Sequence, residues 1–201
     1  VSGLQRRLAD IADILLWRTL EQPPTLARGR LLCVDGRAGS GKTILGAALA
    51  QLAAEHGSVR LLHMDDIYEG WEGLDATLPR VAGDLVAPLR EGRAGSYQRY
   101  DWYAERLAER IEVAPVDLLI LEGVGAGASA YDDAITTLVW VDAPRPLRLA
   151  RGIERDGQQV LPRWLVWMDD EDYMFARERT RQRADVVVDG TGDSDRAIVF
   201  V

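Results

Sequence analysis

The sequence predicts an α/β fold in which helices cover both faces of a central five-stranded parallel sheet. Three observations predict it. From residue 31 onward, short apolar runs alternate with helix-length amphipathic stretches, the rhythm of strands joined by crossover helices. The runs are apolar at successive positions rather than at every second one, as in strands buried on both sides. Each run also ends on something polar: Asp35-Gly36, Asp65-Asp66, Glu122-Gly123 and Asp142. In open parallel sheets, ligands bind beyond those carboxyl ends.

The elements follow in order. Leu4, Leu8, Ile11 and Leu15 recur three and four residues apart with Arg6, Arg7, Asp10 and Asp13 between them, which predicts an amphipathic helix over residues 4–17. Pro23 and Pro24 close this N-terminal helical segment, residues 1–22. Strands are expected at 31–35, 59–64, 118–121 and 138–141, with a fifth at 186–188. Helices are expected at about 42–55, 77–90, 145–156 and 164–183. With 201 residues, 47% of them hydrophobic, and no repeat or long linker, one domain over residues 1–201 is the expectation.

Composition removes several function classes. The net charge is −8, from 32 acidic residues against 24 Lys and Arg, so no basic surface is offered to a nucleic-acid backbone. No apolar run approaches the length of a membrane span, and the N-terminus lacks the pattern of a secretory signal. Cys33 stands alone, and with His56 and His63 it does not make a common zinc set. The expectation is a cytoplasmic protein acting on a small molecule, without nucleic-acid or membrane partners; a homo-oligomer stays open. Of the 24 basic residues, one is a lysine, Lys42, and the other 23 are arginines.

That lysine lies in Gly36-Arg37-Ala38-Gly39-Ser40-Gly41-Lys42-Thr43, which fits G-x-x-x-x-G-K-[ST] between a predicted strand and a predicted helix. Glycines let the backbone curl so that its N–H groups face phosphate oxygens, and the helix N-terminus adds partial positive charge. Lys42 can reach the β- and γ-phosphates of ATP, and the Thr43 hydroxyl can ligate Mg²⁺. The lysine count also excludes one class: the N-K-x-D guanine reader of GTPases needs a second lysine.

Other polar residues gather at the same sheet edge. Asp65 or Asp66 can accept the proton of an attacking hydroxyl and help hold Mg²⁺, or can cap a turn. Glu122 ends an apolar run, where a carboxylate needs a cation, either Mg²⁺ or a nearby arginine. Arg148, Arg151 and Arg155 fall three and four apart on one helical stretch; they can clamp phosphates or form a solvated face.

In order along the chain, Gly36 to Thr43, Asp65-Asp66-Ile67-Tyr68, Tyr100-Asp101-Trp102, Leu121-Glu122-Gly123, and Val141-Asp142 with Arg148, Arg151, Arg155 and Asp156 resemble the uridine kinase-like branch of the P-loop kinases, from about residue 30 to residue 190. The resemblance implies a three-layer P-loop kinase fold with a short helical lid within residues 145–183. It also implies transfer of the γ-phosphoryl group of ATP to a hydroxyl, the ribose 5′-hydroxyl in nucleoside members. Carried over residue by residue, Asp65 is the catalytic base, Tyr68 a substrate-pocket aromatic, Tyr100 a residue beside the base, and Glu122 the partner of Thr43 on Mg²⁺. Arg148 then assists ATP binding, with Arg151 and Arg155 in catalysis.

Six tryptophans and six tyrosines against two phenylalanines suit the stacking of a flat ring, with Tyr68, Tyr100 and Trp102 the candidates and Trp164, Trp167 and Tyr173 expected in the core. At three points the chain differs from the nucleoside kinases it resembles. No histidine follows Tyr100-Asp101, Glu69 to Gly73 replaces the ribose-side loop, and the segment after Asp156 is short and tryptophan-rich. Kinases of non-nucleoside alcohols, and a nucleotide-binding regulatory module without catalysis, are therefore the alternatives. The acidic run from Asp169 to Asp172 is expected to pair along its own helix with Arg177, Arg179, Arg181 and Arg183.

Overall fold

The computed structural model describes residues 3–192 and 198–200, with side chains from residue 7 onward. Residues 1 and 2, and the side chains of Leu4 and Arg6, lie outside the described residues. In chain order the elements are α1 (Gly3–Leu20), β1 (Arg30–Asp35), α2 (Lys42–Ala53), β2 (Val59–His63), α3 (Leu74–Arg80), α4 (Ala87–Arg90), β3 (Gly95–Asp101), β4 (Arg106–Val113), β5 (Leu118–Glu122), β6 (Thr137–Asp142), α5 (Arg145–Asp156), α6 (Leu161–Glu178), α7 (Thr180–Arg183), β7 (Val186–Asp189) and β8 (Ile198–Phe200). A π-helical stretch, Val81–Val86, joins α3 to α4. Pro79 and Pro88 flank it and remove two helical donors.

The main sheet has the order β2-β5-β1-β6-β7-β8. Its first five strands are parallel, matching the five expected ones. The sixth, β8, runs antiparallel on β7, so the sheet is mixed. Central β1, β5 and β6 are almost wholly buried, and successive residues feed opposite layers. Leu32, Val34, Ile120 and Val139 pack beneath α1 and α2 with Leu15, Leu45 and Leu49. Leu31, Cys33, Leu121 and Trp140 face the other layer with Leu78, Leu85, Trp167 and Phe175.

The hairpin of β3 and β4, with Gly95 opposite Val113 and Asp101 opposite Arg106, is absent from the sequence expectation. Most of β4 is exposed, so it carries no apolar run by which to be recognised. The hairpin folds back over the carboxyl end of the sheet, where parallel register sets Val34 and His63 on either side of Glu122.

Candidate functional site

A cavity of about 590 Å³ opens at the carboxyl ends of β1, β2 and β5, and Ala38, Gly39, Gly41, Lys42 and Thr43 of the glycine-rich loop form its floor. The loop's backbone explains its glycines. Gly41 caps α2 with φ +106°, and Gly39 has φ +78° with the backbone oxygen of Arg148 2.5 Å from where a Cβ would stand. A side chain at either position would meet strain, at Gly39 a collision as well.

Side chains inside and outside the loop fasten several of its parts. The Asp35 carboxylate is fully buried and accepts the N–H of Gly36 at 2.7 Å, of Gly125 at 2.9 Å and of Gly127 at 2.8 Å. It thus joins the start of the loop to the segment that follows Glu122. Burial raises its pKa to about 6 against the pull of those three donors and of Lys42. Lys42 Nζ donates to the Arg37 carbonyl at 2.9 Å. Arg151 Nη1 donates to the carbonyls of Gly39 at 3.2 Å and Gly190 at 2.9 Å. The Ser40 hydroxyl is buried without a hydrogen-bond partner among the described residues.

Thr43, the first residue after Lys42 in α2, donates its hydroxyl to Glu122 at 3.2 Å. Glu122 is 3% exposed and also hydrogen-bonds His63 Nδ1; that bond is the main cause of a raised His63 pKa. His63 was missed at the level of sequence, where it has no visible partner, because only the β2–β5 register brings it beside Glu122. Asp65 faces the cleft from the turn after β2. It is exposed on the cleft, yet the protein crowded around it disfavours the charged form, which is the largest influence and lifts its carboxyl above the ordinary range against the pull of Lys42.

The far wall is aromatic. Trp71, Trp102, Trp164 and Trp167 line the cavity with the ring of Tyr68. Trp71 meets the other three edge to face, with ring centroids 5.8 to 6.4 Å apart. Trp102 donates its indole N–H to the Asp65 carbonyl at 2.8 Å, which pins the hairpin over the base of the pocket. Trp164 and Trp167 are buried, as expected of core residues, yet they also form the wall, whereas Tyr173, expected in the core with them, is 71% exposed on the outer face of α6.

Several expected site residues stand elsewhere. Tyr100 packs behind Trp102, with centroids 5.2 Å apart, rather than on the cavity. The Tyr68 hydroxyl is spent on the Val124 carbonyl, so only the ring is available. Arg151 and Arg155 line the cavity, Arg155 paired with Asp156 at 2.7 Å, but Arg148 corrects the three-arginine clamp. It is 3% exposed and turned inward onto Glu171 at 2.7 Å, because its place on α5 faces α6. The Arg37 side chain likewise leaves the cavity, donating to Asp172 at 2.6 Å with its guanidinium 5.6 Å from the Trp140 and Phe175 ring centres. The acidic run corrects a second expectation, for it pairs across elements: Asp169 and Asp172 with Arg145, and Glu171 with Arg148.

Among the described residues, no cluster of three or more His, Cys, Asp or Glu could cage a metal ion. The Thr43 hydroxyl with the Glu122 and Asp65 carboxylates is an all-oxygen set on one cavity. That suits Mg²⁺, which takes one or two carboxylates and completes its shell with phosphates and water. No helix among the described residues is long and apolar enough to cross a membrane.

No family model matches the chain. A curated uridine kinase from Latilactobacillus sakei subsp. sakei (strain 23K) is 29% identical over 189 residues, covering 84% of this chain and 89% of the relative. The uridine kinase of Mycoplasma pneumoniae (strain ATCC 29342 / M129 / Subtype 1) is 25% identical over 185 residues, covering 80% and 85%. The solved structure of a possible uridine kinase from Bacillus stearothermophilus superposes with a TM-score of 0.67 at 24% identity, over 90% of this chain and 98% of that one. The last likeness establishes a shared fold.

Proposed function

We propose that this uridine kinase-like P-loop kinase, an ATP-dependent small-molecule kinase, takes as its acceptor a nucleoside phosphorylated at a ribose hydroxyl. One observation carries the reading: Lys42, Thr43, Glu122 and Asp65 meet on a single cavity whose opposite wall is four tryptophans. The first group suits a phosphate chain and its metal, and the second suits a flat ring. On this reading residues 1–201 act as one kinase domain, in the cytoplasm.

The roles follow from position. The backbone N–H groups of Gly39, Gly41, Lys42 and Thr43 hold the β- and γ-phosphates, those of Gly36 and Ala38 being donated to Asp35 and Glu171, and Lys42 exchanges the Arg37 carbonyl for a phosphate oxygen. Thr43, Glu122 and Asp65 would hold Mg²⁺, which when bound neutralises charge on the phosphate oxygens. Asp65 accepts the acceptor's hydroxyl proton as that oxygen bonds to the γ-phosphorus and the bond to the β–γ bridging oxygen breaks, releasing ADP. Arg151 and Arg155 offset the charge spread over the moving phosphoryl group. Trp102 and Trp71 orient the acceptor ring and exclude water.

A second reading, a kinase of a non-nucleoside alcohol, is favoured by the missing base reader: no histidine follows Tyr100-Asp101, Tyr100 stands behind Trp102, and the Tyr68 hydroxyl is occupied. Two measurements test the readings. Asp65→Asn should lose transfer while binding ATP as before, and full transfer by that variant would sink the assigned mechanism. A substrate panel should find turnover with nucleosides; turnover with sugars or other alcohols alone would replace the first reading by the second.

A further inference from the structure

Glu171 is the one carboxylate of α6 that is wholly buried, and both of its oxygens are committed to the same place. Oε2 accepts the Ala38 N–H at 2.7 Å, and Oε1 accepts Arg148 Nη1 at 2.7 Å. Arg148 Nη1 in turn donates to the Ala38 carbonyl at 3.2 Å, while its Nε donates to the Ala143 carbonyl at 3.0 Å. The backbone of Ala38 is therefore gripped at its N–H by the acid and at its carbonyl by the base. Rotating either peptide at the crest of the loop would strand a buried polar group, which is costly.

A buried ion pair is a poor device for stability alone, since two apolar side chains of similar volume commonly serve as well. A carboxylate at this point does what an apolar side chain cannot, selecting one orientation of the Ala38 N–H. Ala38 and Gly39 line the cavity floor. One to two turns earlier on the same helix, Trp164 and Trp167 form the aromatic wall. The floor and the wall are thus held in fixed relation by one rigid element.

We propose that Glu171 is a positioning residue for ATP: by holding the Ala38 N–H on its buried carboxylate it fixes the crest of the phosphate loop in one conformation. The inference rests on the reading of residues 36–43 as the phosphate loop, and Lys42→Ala tests that reading separately. If that variant binds ATP normally, the loop assignment fails, whatever the Glu171 variants do.

Glu171→Gln leaves Arg148 buried without its anion and is at risk of not folding. The decisive variant is therefore the pair Arg148→Met with Glu171→Leu, which removes both buried charges and keeps the volume. The expected result is a folded protein with a KM for MgATP raised about tenfold, the loss of one strong hydrogen bond, with kcat and the acceptor KM changed less than about twofold. Glu171→Asp, which keeps the partner for Arg148 but shortens the reach to Ala38, should move the ATP KM in the same direction. An unchanged ATP KM in the folded double variant would overturn the proposal. So would a parallel rise of both KM values with a fall in melting temperature, or failure of both variants to fold, since either would make the pair a strut of the core.

Discussion

The two ends of the cavity, the phosphate end and the acceptor end on the proposed reading, are built by opposite means. At the phosphate end, backbone groups are fixed one by one: Gly36 by Asp35, the Arg37 carbonyl by Lys42, Ala38 by Glu171 and Arg148, and the Gly39 carbonyl by Arg151. At the acceptor end, aromatic edges meet one another, one hydrogen bond ties Trp102 to the Asp65 carbonyl, and the exposed tip of the hairpin touches α6 through Glu105 and Arg163 at 3.4 Å. A phosphate chain has the same charge and shape in every reaction of this kind, so donors preset in space recognise it. An acceptor is distinguished by its outline, and a wall of rings adapts to outline at small cost.

The largest effect expected from this contrast is at Lys42. It is the one lysine of the chain, so no other lysine can take its place. Lys42→Ala should lower kcat/KM for ATP by about a thousandfold or more. A lysine-directed reagent should inactivate the enzyme at Lys42, apart from any reaction at the chain's α-amino group, and ATP should protect it. Steady-state kinetics with ATP varied, and mapping of the labelled residue, check both; a loss of less than about tenfold would remove the lysine from the phosphate site.

Trp71 should give the next largest effect and the reverse selectivity. It is the ring that touches the other three tryptophans, so Trp71→Ala opens the wall at its centre. The acceptor KM should rise by about 10- to 30-fold, the loss of one stacked ring, while the ATP KM stays within about twofold. Equal rises in both would mean that the two ends are not separately built, and the contrast would fall.

The glycine-rich loop and its setting between β1 and α2 were legible in the sequence because the signature is local. Eight consecutive residues between a strand and a helix contain the glycines, the lysine and the threonine, and the alternating apolar runs announce five parallel strands. What was not legible depends on register and on which way a helix faces. His63 reaches Glu122 across a strand pair. Arg148, on the same helix as Arg151 and Arg155, points into the protein because α6 lies there with Glu171. Trp71 sits in a short turn with no periodicity to mark it. The hairpin and β8 lack buried apolar runs, so the usual strand signal never arises.

Asp35 offers a smaller effect, readable as a dependence on pH. Its pKa is about 6 in the folded chain against 3.8 for an ordinary aspartate. The folded state therefore holds the proton more tightly than the unfolded one. The stabilisation this group supplies is full below pH 3.8 and is lost as pH rises to about 6. Its size is on the order of 3 kcal/mol. Asp35→Asn has no proton to lose, so its stability relative to the parent should improve between pH 4 and pH 7. Urea unfolding of both proteins at the two pH values cancels the titrations they share. A difference that stays constant, or grows in the parent's favour, would show that the three backbone donors outweigh burial.

The smallest effect should come from the hairpin tip. Glu105 and Arg163 are 67% and 56% exposed at their side chains, where water and salt screen the charges and fixing two long side chains costs entropy. Glu105→Gln should change stability by less than about 0.5 kcal/mol and leave the ATP KM unchanged. If the ion pair holds the hairpin against α6, the variant should raise the acceptor KM by about twofold at low salt and have no effect at about 0.5 M salt, where the pair is already screened in the parent. An acceptor KM unchanged at low salt would mean that the Trp102 hydrogen bond to the Asp65 carbonyl holds the hairpin by itself. Trp102→Phe, which keeps a ring but loses that donor, should then carry the whole effect.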